Sequence, residues 1–483
     1  MGMNEKEFVK EVTPRTENFS QWYLDLVLKT ELMDYAPVKG CMAIRPYGFA
    51  IWENMKALLD RRIKDTGHQN AYFPLFIPES LLQKEAEHVE GFAPEVALVT
   101  HGGNEKLSER LVVRPTSEAI ICSMYAKWVQ SWRDLPLLIN QWCNVVRWEK
   151  TTRPFLRTSE FLWQEGHTVH CTEEEAEAEA LQMLGVYKDF VESELAVPVI
   201  SGLKTEREKF AGALHTYTIE ALMADGRALQ AGTSHNLGQH FSKVFEIQYL
   251  DKDKQLKYAW QTSWGVSTRL IGALIMVHGD DRGLRLPPQV APLQAVIVPI
   301  ITKKKREEVL QKCREILEKL TGTVRVHLDQ REEYSVGWKF NEWEMKGVPL
   351  RLEVGPRDLE QGVVLAVRRD TGEKNAIPLA DLVQQVPLLL QDIQDNLFQQ
   401  AADFLKKNTH RVHSYQEFKD VIEEKKGFVL GFWCGAADCE EKIKDETKAT
   451  IRCMPLEMAP KETGPCLYCG NKDSKIVYFA RAY

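Results

Sequence analysis

Apolar side chains recur at helical spacing over residues 48–64. Phe49, Trp52, Met55, Leu58, Leu59 and Ile63 share one stripe of an amphipathic helix. Gly67 closes it, and 71–78, Ala-Tyr-Phe-Pro-Leu-Phe-Ile-Pro, reads as a strand entering an irregular segment. Further strands are expected at 137–144, 163–170, 227–229, 243–249 and 257–262. Most of them have no crossover helix between them, which favours a largely antiparallel sheet. Thr172-Glu-Glu-Glu opens a long helix whose acidic first turn suits the helix dipole.

Pro287, Pro288 and Pro292 mark a boundary. Beyond it the pattern alternates: strand 295–299, helix 303–320, strand 324–328, helix 335–346, then strands 350–354 and 362–368. Such alternation argues for a small α/β domain. A third piece begins near 390 with a helix over 391–407. Ser414-Tyr-Gln-Glu417 is a capping box for another helix, which Gly427 ends. The chain therefore divides into an α+β unit with a mostly antiparallel sheet (1–286), an α/β unit (287–390) and a small α+β unit with a cysteine-rich tail (391–483).

Composition changes this picture little. Three domains suit 483 residues, and 44% hydrophobic with 27% charged residues is ordinary for a soluble globular chain. No apolar run reaches the roughly 18 residues of a membrane span. Residues 1–13 lack the apolar core of a secretory signal, so a cytoplasmic protein is expected. With a net charge of −7, any nucleic-acid surface must be a local patch.

Five segments carry candidate chemistry. Arg147-Trp-Glu149, at a strand end, places an arginine fork and a carboxylate on one face, followed by a loop holding Arg157 and Thr158. The plain alternative is a solvated strand face. Ser267-Thr-Arg269 leads into an apolar helix, either as a ligand-approaching turn or simply as its cap. Arg114-Pro-Thr116-Ser-Glu118 reads as the start of a helix over 118–130. Trp163, Glu165 and His167 share one face of a strand, as a core network or a pocket wall. Gln230, Thr233 and His235 sit around glycines, as in a ligand loop. There is no phosphate-binding Gly-x-x-x-x-Gly-Lys and no dinucleotide Gly-x-Gly-x-x-Gly, so a nucleotide would have to bind on a sheet platform by arginines.

Taken together these segments resemble the class II aminoacyl-tRNA synthetases and, within them, the prolyl-tRNA synthetases of archaeal and eukaryotic type. Motif 1 is similar to Arg45-Pro-Tyr-Gly through the segment 73–78, motif 2 to Arg147-Trp-Glu149 with its loop, and motif 3 to Ser267-Thr-Arg269. Arg-Pro-Thr-Ser-Glu at 114–118, Trp-Gln-Glu-Gly-His at 163–167 and Gly-Thr-Ser-His at 232–235 resemble the proline subfamily. The resemblance implies a class II catalytic domain, an anticodon-binding domain and a zinc-binding C-terminal domain over the three pieces. It implies a cytoplasmic homodimer that activates L-proline with ATP and transfers it to the 3′ end of proline tRNA.

It also implies roles. Arg147 and Arg269 would be the catalytic arginines; Arg147, Glu149, Arg157, Thr158, Gln230, Thr233, Ser267 and Arg269 would hold ATP, with Mg²⁺ near Gln230. Thr116, Glu118, Arg147, Trp163, Glu165, His167, Phe210 and His235 would form the proline pocket. His235, His167 or a phosphate oxygen would serve as base in the transfer step. Bacterial-type relatives carry a large editing domain between motifs 2 and 3; here other motifs fill that stretch, so no cis-editing is expected. The terminal Tyr483 would point its carboxylate toward the active site.

Cys434-x₄-Cys439 and Cys466-x₂-Cys469-Gly have the spacing of a closed, structural zinc site, while Cys453 reads as a buried thiol on a strand. Arg351, Glu353 and Arg357, with Arg368, Arg369 and Lys374 nearby, form the candidate anticodon face, or else a solvated charged one. Two rival readings stand beside this one. One is a class II synthetase for threonine, serine, glycine or histidine; the other is a non-catalytic paralogue, which the presence of both Arg147 and Arg269 disfavours.

Overall fold

The computed structural model describes residues 12–86, 95–302, 304–456 and 462–483; the expectation drawn from residues 1–11 lies outside them. Five long strands form the central platform. His215–Leu222, Ala228–Gly238, Trp260–Ser267, Glu160–His170 and Leu137–Val146 pair antiparallel in that order. Val199–Leu203 extends one edge antiparallel, and Gln69–Asn70 the other in parallel.

One face of this sheet is closed by the helix Glu173–Ser193. Thr172 and Glu175 cap it reciprocally, and Met183, Leu184, Tyr187 and Phe190 are buried. The Ser234 Oγ donates to the Ala180 carbonyl at 2.7 Å and ties helix to sheet. Trp264 turns to that buried side, and a Cβ on Gly166, its cross-strand partner, would lie 2.1 Å from its ring. Only glycine fits there. The period-2 alternation leaves Ser263, Gly265 and Ser267 for the opposite face.

The expected helix at 48–64 is Pro46–Asp65. Phe49, on the flank of the stripe, is 39% exposed instead of buried with Trp52, Met55, Leu59 and Ile63. The expected strand at 243–249 is instead the helix His240–Phe245, ended by Glu246 at φ 60°, followed by the short strand Gln248–Leu250. Phe241, Val244 and Phe245 bury against Ile121 and Tyr125, so helical spacing overrides the local apolar run. The expected strand at 257–262 breaks at Ala259 into Leu256–Tyr258 and Trp260–Ser267. Residues 227–229 open the long strand Ala228–Gly238, so Gln230, Thr233 and His235 sit on a strand and not in a loop. There Gly232 gives way to Val266, whose Cγ1 would lie 2.9 Å from an added Cβ.

The second unit has a five-stranded sheet ordered Val326–Leu328, Ala295–Pro299, Leu350–Val354, Val363–Arg368, Lys374–Pro378. Its first two pairings are parallel and its last two antiparallel. The helix expected from 391 starts earlier: Leu382–Lys407 runs unbroken through 390 and buries Leu382, Val386, Leu390 and Ile393 against the α/β core.

In the last unit Phe428–Trp433, Ser474–Ala480 and Thr450–Pro455 pair antiparallel. Met454 and Pro455 then pair with Leu203 and Gly202, which joins this sheet to the central platform. Cys453 is fully buried on that strand. A Cβ on Gly202 would come 2.5 Å from the Cys453 Cβ, so the seam closes only over glycine. No helix among the described residues is long and apolar enough to cross a membrane.

Candidate active site

The open face of the platform holds a cavity of about 320 Å³. Three of the strands send most of the side chains into it: Phe161, Trp163, Glu165 and His167 from Glu160–His170, Ser263 and Ser267 from its neighbour Trp260–Ser267, and Gln230, Thr233 and His235 from Ala228–Gly238. Thr116 and Glu118 enter from the start of the helix Glu118–Trp128, and Arg269 from the start of Arg269–His278. Arg147 lies just past its strand, with its Nε donating to the Pro115 carbonyl at 3.0 Å.

Hydrogen bonds fix the floor. Glu165 accepts from Gln141 Nε2 and His167 Nε2, each at 2.9 Å, and from the Ser117 hydroxyl. Burial pushes the Glu165 carboxyl up, but His167, Ser117 and Gln141 outweigh it and hold it below its ordinary value. For His167 burial works downward and Glu165 outweighs it, so the imidazole is raised. Glu118 accepts from the Thr116 hydroxyl. His235 meets Thr216 Oγ1 at 3.0 Å and lies against the Phe210 ring, centroids 4.8 Å apart. Burial, then the charge of His167, brings His235 down to about 3, so it is neutral at pH 7.

The arginines are the unusual groups. Burial lowers the Arg147 guanidinium, partly offset by Glu118 and Glu165. Arg269 is lowered to about 10 by burial and then by Arg147 and Arg157. Arg147 packs over the rings of Phe161 and Trp163, at 5.4 and 5.7 Å. Neither arginine forms an ion pair among the described residues. Two half-buried cations facing one cavity, neither in a direct ion pair, make a site for a polyanion.

Glu149, Arg157 and Thr158 do not line this cavity. Residues 147–149 lie beyond the strand end at Val146, so the expected strand-face pair is not formed. Glu149 instead meets Arg157 Nε at 3.7 Å on the loop. Thr158 is buried with its hydroxyl donating to the Glu160 carbonyl at 2.7 Å. Arg114 is structural: fully buried, it bonds Phe73 and Asn144. Ser267 ends a strand one residue before the N-cap position, Thr268, and its hydroxyl accepts from Arg269 N, the first N–H of the following helix, at 3.2 Å.

Three family descriptions match the chain: "tRNA synthetase class II core domain (G, H, P, S and T)" over 100–278, "Anticodon binding domain" over 294–387 and "Prolyl-tRNA synthetase, C-terminal" over 415–483. The proline–tRNA ligase of Natranaerobius thermophilus is 65% identical to it, with all of both chains covered. The chain belongs to the prolyl-tRNA synthetases. It is a class II ligase that joins proline to tRNA. The proline–tRNA ligase of Alkaliphilus oremlandii is 60% identical, again over all of both chains. The crystal structure of the Cryptosporidium parvum prolyl-tRNA synthetase complexed with halofuginone and AMPPNP superposes with a TM-score of 0.93. It is 43% identical, over 98% of this chain and 99% of that one.

Within this prolyl-tRNA synthetase fold the four expected cysteines do converge. The Sγ atoms of Cys434, Cys439, Cys466 and Cys469 all lie within 4.8 Å of one another, Cys434 and Cys469 at 3.7 Å. Tetrahedral zinc with bonds of about 2.3 Å requires sulfurs about 3.8 Å apart, so the set fits.

The anticodon candidates are partly engaged with each other. Arg351 Nη2 meets Glu353 Oε1 at 2.8 Å, over the Phe340 ring. Arg357 lies on the adjacent short helix Pro356–Glu360. Arg368 is tied to Asp370 and Asp392 and Arg369 to Asp280, so these two are structural. Sequence reasoning missed Lys204, Glu208, Lys209 and Thr216, which line the cavity. The polar run 204–209 was the only local signal for the first three, and Thr216 lies on the strand His215–Leu222.

Proposed function

We propose that the cavity holds ATP and L-proline together on the open face of the sheet. The observation that carries this is the pair of half-buried guanidiniums, Arg147 and Arg269, sharing one cavity with Glu118. In the first step a proline carboxylate oxygen attacks the α-phosphorus and pyrophosphate leaves. The carboxylate is already ionised at neutral pH, so the step needs positioning and charge neutralisation, not a base.

Arg147 holds the α-phosphate and the proline carboxylate; Arg269 holds the far end of the triphosphate. Thr233 and Ser267 line the nucleotide side, and Glu149, Arg157 and Thr158 act from the loop when it folds over ATP. The secondary ammonium of proline donates to Glu118 and Thr116, while Trp163, His167, Phe210 and neutral His235 wall its ring, with Glu165 fixing His167. Gln230 makes no side-chain hydrogen bond among the described residues, so its amide oxygen suits a hydrated Mg²⁺ that arrives with the phosphates. Such an ion would neutralise phosphate charge.

In the second step the terminal ribose hydroxyl attacks the adenylate carbonyl and AMP leaves. His167 is engaged by Glu165, and His235 at about 3 is a weak base. A phosphate oxygen of the adenylate is the better proton acceptor.

The three units, 1–286, 287–390 and 391–483, serve as catalytic, anticodon-binding and zinc-binding domains, with the helix Leu382–Lys407 running across the boundary between the last two. Arg351, Glu353 and Arg357 read the anticodon of proline tRNA. The four thiolates hold a structural zinc that stabilises the last unit and takes no part in the chemistry. Exposed Tyr35, Tyr72 and Phe76, at 61%, 71% and 46%, suit a homodimer interface, and the enzyme works in the cytoplasm. Pyrophosphate exchange with each proteinogenic amino acid tests the reading. Exchange should depend on proline, and a stronger response to threonine, serine, glycine or histidine would overturn it.

A further inference from the structure

Lys204 immediately follows the strand Val199–Leu203, and its backbone N donates to the Thr216 carbonyl at 2.8 Å. Its ammonium lies 2.8 Å from Glu220 Oε1 and lines the cavity, with the side chain 2% exposed. An ammonium has three donors. Glu220 is its one side-chain partner among the described residues, which leaves the others for the cavity.

Glu220 is itself fully buried and is shared. Arg452 donates to its Oε2 from Nε at 3.0 Å and from Nη2 at 2.9 Å, and Thr218 Oγ1 donates to Oε1 at 3.0 Å. One carboxylate thus serves two buried cations, and the cluster keeps an excess positive charge beside the cavity. An excess buried charge is costly unless an anion meets it.

The position says which anion. Glu220 stands directly opposite Gln230 in the antiparallel register. Its charge also acts on Arg269. The cluster therefore borders the Gln230–Arg269 part of the cavity, where the proposed reading puts the far phosphates.

Arg452 comes from the last unit. It lies on Thr450–Pro455, whose Met454 and Pro455 pair with Leu203 and Gly202, the residues just before Lys204. The same seam that joins the two sheets thus delivers the guanidinium that fixes Glu220.

We propose that Lys204 is a third cationic contact for the pyrophosphate end of ATP, and that Arg452, through Glu220, is the positioning residue that keeps it aimed. The last unit then contributes to activation and not only to stability. This rests on the ATP-and-proline reading of the cavity. Proline-dependent exchange by the wild-type full chain tests that reading, and the variants test this one.

In pyrophosphate exchange, Lys204→Met raises KM for ATP and for pyrophosphate about tenfold, the size of one charge-assisted hydrogen bond. KM for proline and inhibition by a non-hydrolysable prolyl-adenylate analogue, which has no pyrophosphate, stay within about twofold. Arg452→Met shifts the same two constants in the same direction, and Arg452→Lys recovers part of the loss. If Arg452→Met does not fold, Lys204→Met and Lys204→Gln decide alone. Lys204 variants with unchanged KM for ATP and pyrophosphate overturn the proposal. So do variants that weaken the adenylate analogue as much as ATP.

Discussion

Arg269 lies in the same cavity as Arg147, and burial followed by the positive charge of Arg147 brings its guanidinium down to about 10. Like charges half-buried at one cavity are maintained by the packing around them: Arg147 by Pro115 and two aromatic rings, Arg269 by the Leu156 carbonyl at 3.1 Å. A triphosphate would relieve the repulsion.

Arg269→Gln should therefore lower kcat/KM for ATP by about 10²–10³, the effect of deleting one preorganised charge contact. KM for proline should change little. Steady-state exchange kinetics check this, and a loss confined to proline would place Arg269 on the wrong substrate.

His235 gives a pH signature. Its folded pKa of about 3 lies far below the ordinary 6.5 because burial disfavours the imidazolium. Below pH 6.5 the unfolded chain takes up a proton that the folded chain refuses. Stability is therefore lost as pH falls from 6.5, at up to about 1.4 kcal/mol per pH unit from this one group. His167, raised by Glu165, has the opposite sign: its contribution is present below its ordinary 6.5 and lost as pH rises through its raised value. Melting temperatures from pH 7 to 5 should fall less steeply for His235→Asn than for wild type, whatever the offset between the curves.

How much of this was legible follows from which signals are local. The strands Ala295–Pro299 and Leu350–Val354 were read to the residue, because buried strands are short apolar runs between breakers. The run 243–249 misled, because Val244 and Phe245 are equally apolar in a helix. Arg147, Glu118, Trp163 and His235 were found through motif spacing, and the fold brings them to one cavity. Lys204, Glu220 and Arg452 were not found. Their meeting depends on Met454 and Pro455 pairing with Leu203 and Gly202, a register between distant segments that leaves no local mark.

The cysteine cluster predicts one zinc per chain. Chelation, or Cys466→Ser, should remove the metal and lower the melting temperature, since a structural site contributes folding energy directly. Metal analysis of the purified chain below half an equivalent of zinc would argue against the site.

A proline pocket cannot strongly reject smaller side chains, because a missing methylene is worth only about 1–3 kcal/mol. The stretch between Glu149 and Ser267 is taken up by the platform strands and the helix Glu173–Ser193, and this leaves no separate editing unit among the described residues. Alanyl-tRNA offered to the chain should persist. Rapid hydrolysis would contradict this.

The most direct measurement is ATP–pyrophosphate exchange with proline for Arg147→Ala, with its fold checked by circular dichroism. Exchange should be abolished while the spectrum matches wild type. A folded variant that keeps exchange within about tenfold of wild type would contradict the claim that this guanidinium holds the reacting phosphate.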